Sequence, residues 1–217
     1  MFADRIDAGR RLARALMKYA GQDVVVLALP RGGAEVASEI ASALHAPLDL
    51  LLVRKIGLPS QPELAMGAVV DGGMPIVVRN PNVMGYSGVT EAAFNAVCER
   101  ELVEIERRRK LYLGNRPPLD PKGKIAIVVD DGIATGATMR AALQATRKRG
   151  PKKLVLAVPV APPDTIETLR PDVDEVVCLE MPEDFGALGY FYRDFHQLAD
   201  EDVIAILKRH PLKANSE

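Results

Sequence analysis

Five consecutive apolar residues, Ile125 to Val129, run directly into Asp130 and Asp131 and then into Gly132-Ile133-Ala134-Thr135-Gly136-Ala137-Thr138. A short apolar run without polar alternation is the pattern of a parallel strand covered on both faces, so helices are needed above and below it. The acidic pair then falls at the strand's carboxyl end, where open α/β sheets place their ligands. Gly132, Ala134, Gly136 and Ala137 carry little or no side chain, so successive backbone N–H groups can close around an anion while the next helix aims its N-terminus at it. Thr135 and Thr138 add hydroxyl donors. A plain helix cap is the alternative, but a cap needs only one acidic residue. Two acceptors beside a nest of donors suit a ligand that carries both vicinal hydroxyls and a phosphate, as ribose 5-phosphate does.

In this order of strand, acidic pair and Gly/Thr loop, the sequence resembles the type I phosphoribosyltransferases. The resemblance implies that Asp130 and Asp131 are catalytic, holding the ribose 2′ and 3′ hydroxyls of phosphoribosyl pyrophosphate (PRPP). It implies also that Gly132, Ile133, Ala134, Thr135, Gly136, Ala137 and Thr138 hold the 5-phosphate. Neither G-x-G-x-x-G nor G-x-x-x-x-G-K-[ST] occurs in the chain, which removes the main support for Rossmann dinucleotide binding and for P-loop chemistry.

At 217 residues the chain suits one domain with elaborations, against a prior of about 150 residues per domain. Lysine plus arginine number 28 and aspartate plus glutamate 29, so no general field draws the chain to nucleic acid or to an anionic membrane. Cys98 and Cys178 lack C-x-x-C spacing and His45, His196 and His210 are scattered, which argues against zinc. No segment reaches about 18 apolar residues, the length of a membrane span. The first 19 residues read as an amphipathic helix with Arg5, Arg10, Arg11 and Arg14 among its apolar positions, not as a signal peptide. A cytoplasmic protein is the expectation.

Alternation of apolar runs with helical spacing predicts a doubly wound, mainly parallel α/β sheet. Strands are expected at Val24 to Leu29, Pro47 to Val53, Ile125 to Val129, Leu154 to Val160 and Glu175 to Leu179. Helices are expected at Ala34 to Leu44, Thr90 to Tyr112, Met139 to Arg149 and Asp164 to Leu169. Ala65 to Val70 and Pro75 to Val78, around Asp71-Gly72-Gly73, read as an antiparallel pair. The predicted organisation is a core over 24–179, a helical insert over 81–121 and a C-terminal hood over 180–199. The charges of the long helix, Glu101, Glu104, Glu106, Arg107, Arg108 and Arg109, read as a solvated face, and its length would serve a homodimer.

Parallel strands present their following loops at one sheet edge, so other loops can complete the pocket. Pro30-Arg31-Gly32-Gly33 offers exposed backbone and a guanidinium at a helix start, a second anion site; a Pro/Gly turn with a solvent-facing Arg31 is the lesser alternative. In the resembling family this is the pyrophosphate loop, which assigns Arg31, Gly32 and Gly33 to pyrophosphate. Arg54-Lys55 resembles the Arg-Lys step that opens a mobile catalytic loop in adenine- and orotate-type members. Carried over, both cations meet the leaving group, Lys55 as a catalytic residue, and the loop to Pro62 forms a short lid. Without the resemblance these cations would read as solvated surface. The hood candidates are Met181, Phe185, Tyr190, Phe191 and Tyr192, with Met181, Phe185 and Tyr192 assigned to the base, although such residues are more often core. The resemblance further implies Mg²⁺ bound through phosphate and water, with Asp130 and Asp131 as indirect ligands. The partners implied are PRPP and a nucleobase-like acceptor, with a mild preference for purine. The rival reading is a sensor that keeps the fold and binds a nucleotide or PRPP without turnover.

Overall fold

The computed structural model describes residues 1–71 and 75–212, the side chains of Glu63 and Tyr86 excepted. The Gly72-Gly73 part of the expected turn lies outside the described residues. In chain order the elements are α1 (Arg5–Leu16), β1 (Val24–Ala28), α2 (Gly32–Leu44), β2 (Leu48–Leu50), β3 (Val53–Leu58), β4 (Gln61–Val70), β5 (Ile76–Arg79), α3 (Pro81–Ser87) and α4 (Glu91–Leu113). They continue as β6 (Ile125–Val129), α5 (Ala137–Lys148), β7 (Lys153–Val160), α6 (Pro163–Leu169), β8 (Glu175–Glu180) and α7 (Asp200–Arg209).

A five-stranded sheet, ordered β2-β1-β6-β7-β8 and parallel throughout, forms the centre. Every residue of β1 and β6 is buried because successive side chains point to opposite faces and both faces are covered. Val24, Val26, Ile125 and Ile127 face Leu12 of α1, Val36 and Ile40 of α2 and Val203 of α7. Val25, Leu27, Ala126 and Val128 face Met139 and Leu143 of α5 and Ile166 of α6. Truncating a fully buried residue such as Leu27 to alanine costs about 2–5 kcal/mol. The α/β class and the parallel core agree with the sequence expectation.

The region after β2 does not follow it. The expected strand from Pro47 to Val53 is two pieces. β2 ends at Leu50; Leu51 and Leu52 remain buried, but the Leu52 carbonyl accepts from the Asp71 N–H at 2.8 Å instead of continuing the ladder with β1. An unbroken apolar run therefore concealed the break. The expected loop from Arg54 to Pro62 is a hairpin: β3, β4 and β5 form a separate antiparallel sheet. Gly57 permits it, since a Cβ there would lie 2.4 Å from the Pro62 carbonyl oxygen, and the register shifts on either side of it.

In the insert, α4 lays Phe94, Val97, Cys98 and Ile105 against Ile56, Met66 and Val69 of the small sheet. Its N-terminus is set by Thr90, whose hydroxyl accepts from the Ala93 N–H at 3.2 Å. The charged face is partly tied down, Glu101 to Arg54 at 2.7 Å and Arg109 to Asp71 at 3.9 Å. After β8 the chain is largely irregular, with a 3-10 turn at Leu188–Phe191, and then forms α7, which the sequence reading missed.

Candidate active site

The strand order reverses between β1 and β6: β2 lies to one side of β1, and the next strand of this sheet in the sequence, β6, lies to the other. Such a switch opens a crevice at the carboxyl ends of the two strands. Ala28 and Val129 are in register there, so Pro30-Arg31-Gly32-Gly33 and Asp130-Asp131 emerge side by side. The Pro30–Arg31 peptide is cis. Close approach demands glycine at the next two positions. A Cβ on Gly32 would lie 1.8 Å from Asp131 Oδ2, and one on Gly33 would lie 2.8 Å from the Val129 carbonyl oxygen and 2.9 Å from Asp130 Cα. The start of α2 thus rests directly on the acidic pair.

The two carboxylates have different surroundings. Asp131 is buried and accepts a hydrogen bond from Arg5 Nε at 2.7 Å. Arg5 is held in turn by donation from its Nη1 to the His196 carbonyl at 2.8 Å, and its guanidinium lies 4.0 Å from the centre of the Phe195 ring. Asp4 caps α1, accepting from the Asp7 N–H at 2.7 Å, and so sets Arg5 in the first helical turn. Asp130 accepts from the Asp131 N–H at 2.9 Å. Burial, reinforced by the adjacent Asp131 charge, pushes the Asp130 carboxyl well above the usual carboxylate range. Arg5 was missed by the sequence reading because nothing local separates it from Arg10, Arg11 and Arg14; its partner is 126 positions away.

Gly132 to Gly136 form the expected loop ahead of α5, whose N-cap is Gly136 in the left-handed region at φ 76°. Thr165 donates its hydroxyl to the Ala134 carbonyl at 2.8 Å, and the Ile133 N–H donates to the Val160 carbonyl at 3.0 Å, which fix the loop from the β7 side. Gly132, at φ 155°, also leaves room for Leu188, since a Cβ would lie 2.2 Å from Leu188 Cδ1.

The expected cations divide. Neighbouring residues on a strand point to opposite faces. Arg54 turns toward α4, pairs with Glu101, and lines a cavity of about 40 Å³ with Pro30, Arg108 and Thr138. Lys55 points the other way, into a cavity of about 510 Å³ shared with Thr135, Gly136 and Ala137. Lys55 is exposed and forms no ion pair among the described residues. Arg31 caps the start of α2 and lies 3.7 Å from Asp200 of α7. Both cations thus adjoin elements of the crevice, but from different faces of β3, where the sequence reading set them together.

The hood residues divide as well. Tyr192 is 5% exposed, packed 5.4 Å from Phe2 and stacked 4.9 Å from Phe195, and its hydroxyl donates to the Asp131 carbonyl at 2.5 Å. That position corrects its assignment as a base-stacking residue: the ring is buried among Phe2 and Phe195 and leaves no face for a base, and its hydroxyl braces the turn after Asp130. Phe185 is half-buried against Phe191, 5.2 Å away, and Met181 is exposed. Among the described residues no group of three or more His, Cys, Asp or Glu is placed to hold a metal, and no helix is long and apolar enough to cross a membrane.

Three comparisons bear on this geometry. A Mycobacterium tuberculosis protein named "Putative phosphoribosyl transferase" is 47% identical over 209 residues, which are 96% of this chain and 47% of that protein. The chain spans about half the length of the curated relatives it matches. A uracil phosphoribosyltransferase of Lactobacillus gasseri is 37% identical over 84 residues, 37% of this chain and 39% of that one. A crystal structure of a Thermus thermophilus protein superposes with a TM-score of 0.86 at 43% identity, covering 96% of this chain and 98% of that one. The phosphoribosyl transferase domain matches residues 3–196, from the segment that carries Arg5 to the hood residue whose carbonyl holds it, and the chain belongs to that family.

Proposed function

We propose that the chain transfers the 5-phosphoribosyl group of PRPP to a nitrogen acceptor, a nucleobase, with release of pyrophosphate. The observation that carries this reading is the convergence, at one sheet switch point, of an acidic pair, a small-residue loop leading into α5, and the glycine-rich start of α2. In the reaction the bond from ribose C1 to the pyrophosphate oxygen breaks, a bond from C1 to the acceptor nitrogen forms, and that nitrogen sheds a proton. Asp130 and Asp131 accept from the ribose hydroxyls and orient the sugar. The loop N–H groups and the Thr135 hydroxyl take the 5-phosphate, and the start of α2 and Lys55 meet the charge that develops on pyrophosphate.

The donor set suits Mg²⁺ carried by substrate oxygens and water, since two adjacent carboxylates are present and no three-ligand cage is found among the described residues. Asp130 would hold it indirectly, because Asp131 is already engaged by Arg5; the ion would supply charge neutralisation on the phosphates. A cytoplasmic setting accompanies this reading.

That same engagement of Asp131 favours a second reading, a PRPP or nucleotide sensor in which the ion pair stands in the way of turnover. Pyrophosphate release from Mg²⁺-PRPP, measured across purine and pyrimidine bases with uracil among them and beside calorimetric PRPP binding, decides between the two. Release with a base identifies a transferase and its acceptor. Binding with no release on any base supports the sensor, and no binding at all overturns both.

A further inference from the structure

The cavity of about 510 Å³ is larger than one phosphate subsite requires, and it extends in a direction the proposed reaction does not use. Its α5 wall is Ala137, Arg140, Ala141 and Gln144, a stripe at spacings of three, four and seven residues that runs two turns down one face of the helix. At 1.5 Å per residue that stripe is about 10 Å long. Because α5 returns from the carboxyl end of β6 to the start of the parallel strand β7, the stripe leads from the phosphate loop away from Asp130 and Asp131. The ribose and its C1 belong at the acidic pair, so the cavity begins where a 5-phosphate would sit and continues behind it. PRPP has nothing to place there.

The lining is cationic and polar. Lys55, Arg79 and Arg140 contribute three positive groups, and Asn80 and Gln144 add amides. Two of the cations have acidic neighbours: Arg79 donates to Glu91 at 2.7 Å, and Arg140 lies 3.5 Å from Asp172 while donating to the Thr168 carbonyl at 2.5 Å. The Arg79–Glu91 pair is exposed, and Asp172 is half-buried and also accepts from Gln144 Nε2 at 3.2 Å; pairs of this kind contribute about 0–1 kcal/mol, so a polyanion can compete for the two arginines. Ala65, Gly67 and Ala68 of β4 form the opposite wall, and their small side chains keep it open.

We propose that the 5-phosphate subsite continues into this cavity and accepts ribose ligands that bear two or three phosphates at the 5-position, that is, nucleoside di- and triphosphates. The inference rests on the phosphoribosyl reading of the loop and extends it. Such a ligand would place its first phosphate on the loop and the next ones along the α5 stripe, against Arg140 and Gln144, and it would compete with PRPP for the same ribose position.

Calorimetric titration in Mg²⁺ buffer with ribose 5-phosphate, PRPP and uridine 5′-mono-, di- and triphosphate tests this. Affinity is expected to rise at least tenfold from the mono- to the triphosphate. Arg140→Glu, at an exposed position, and Gln144→Glu, at a half-buried one, both on the outer stretch of the α5 stripe, should each abolish the rise. A flat series with the monophosphate bound overturns the inference and leaves the phosphoribosyl reading intact. A rise that survives both substitutions also overturns it, because the added phosphates are then held elsewhere, as on the α2 side. Failure of every ligand to bind, PRPP included, overturns the phosphoribosyl reading and this inference with it.

Discussion

Arg5 donates to Asp131 at 2.7 Å in a buried ion pair that joins the first turn of α1 to the end of the central strand. The same guanidinium reaches the His196 carbonyl and lies over Phe195, so one side chain connects the N-terminus, an acidic residue of the site and the hood. The backbone repeats the connection: the Phe2 N–H donates to the Phe191 carbonyl at 2.7 Å and the Arg193 N–H to the Phe2 carbonyl at 2.9 Å.

Removing one partner of a buried pair leaves an uncompensated charge, so Arg5→Met should lower unfolding free energy by about 3–5 kcal/mol in urea. Arg5→Met combined with Asp131→Asn should cost less than the two single changes added together, because no stranded charge remains. Strict additivity would show that the pair contributes nothing.

Gly32→Ala should reduce PRPP binding and turnover more than tenfold, since the new methyl occupies the position of the Asp131 carboxylate, 1.8 Å away. Gly85 in α3 has no atom within 4 Å of an added Cβ. Gly85→Ala is therefore the matched control, with activity unchanged and helix stability raised by roughly 0.5–1 kcal/mol. Equal kinetics for the two variants would remove the packing argument.

Lys55 and Arg54 should separate in a kinetic and thermal comparison. Lys55→Ala should depress turnover strongly with stability changed by less than about 0.5 kcal/mol, since the side chain is exposed. Arg54→Ala releases Glu101 of α4 and should cost up to about 1 kcal/mol. A Lys55 variant with full turnover would exclude that lysine from the leaving-group site.

Tyr192→Phe keeps the ring stack and deletes the hydrogen bond to the Asp131 carbonyl. A loss of about 1 kcal/mol in stability is expected. Burial, with the nearby Asp131 charge, raises the Tyr192 phenol far above its ordinary value, and burial with the Asp200 hydrogen bond pushes Tyr112 up to about 12, so absorbance titration of the parent should show one more tyrosine resisting ionisation before alkaline unfolding than in Tyr192→Phe.

Glu175 gives the acid response. Burial pushes its carboxyl up, but hydrogen bonds from Lys153, Lys18 and Tyr19 outweigh it and bring the value down to about 2. A carboxylate lowered on folding contributes stability that is fully present above its unfolded value of 4.5 and is lost as pH falls through about 2. At about 1.4 kcal/mol per pH unit this is on the order of 3 kcal/mol, reduced by solvent screening of the exposed Lys18 partner. Urea midpoints measured between pH 6 and pH 2 should fall less steeply for Glu175→Gln than for the parent.

The run Ile125 to Val129, the acidic pair and the small-residue loop were legible because they are contiguous, and local composition determines a buried strand, a tight turn and a helix start. The doubly wound class followed from the alternation of such runs. What the sequence did not determine is how segments distant in the chain meet. Leu51 and Leu52 look like strand continuation because both are buried, yet the parallel ladder ends at Leu50 and the Leu52 carbonyl accepts from the Asp71 N–H, beside the small sheet. Arg54 and Lys55 look like one cationic step, yet strand geometry sends them to opposite faces. Tyr192 looks like a base platform until Phe2 and Phe195 cover it. Arg5 has no local mark at all, because its role is defined by a carboxylate 126 residues away. Local pattern specifies which elements form; only the packing of those elements decides which face each side chain presents and which charge it meets.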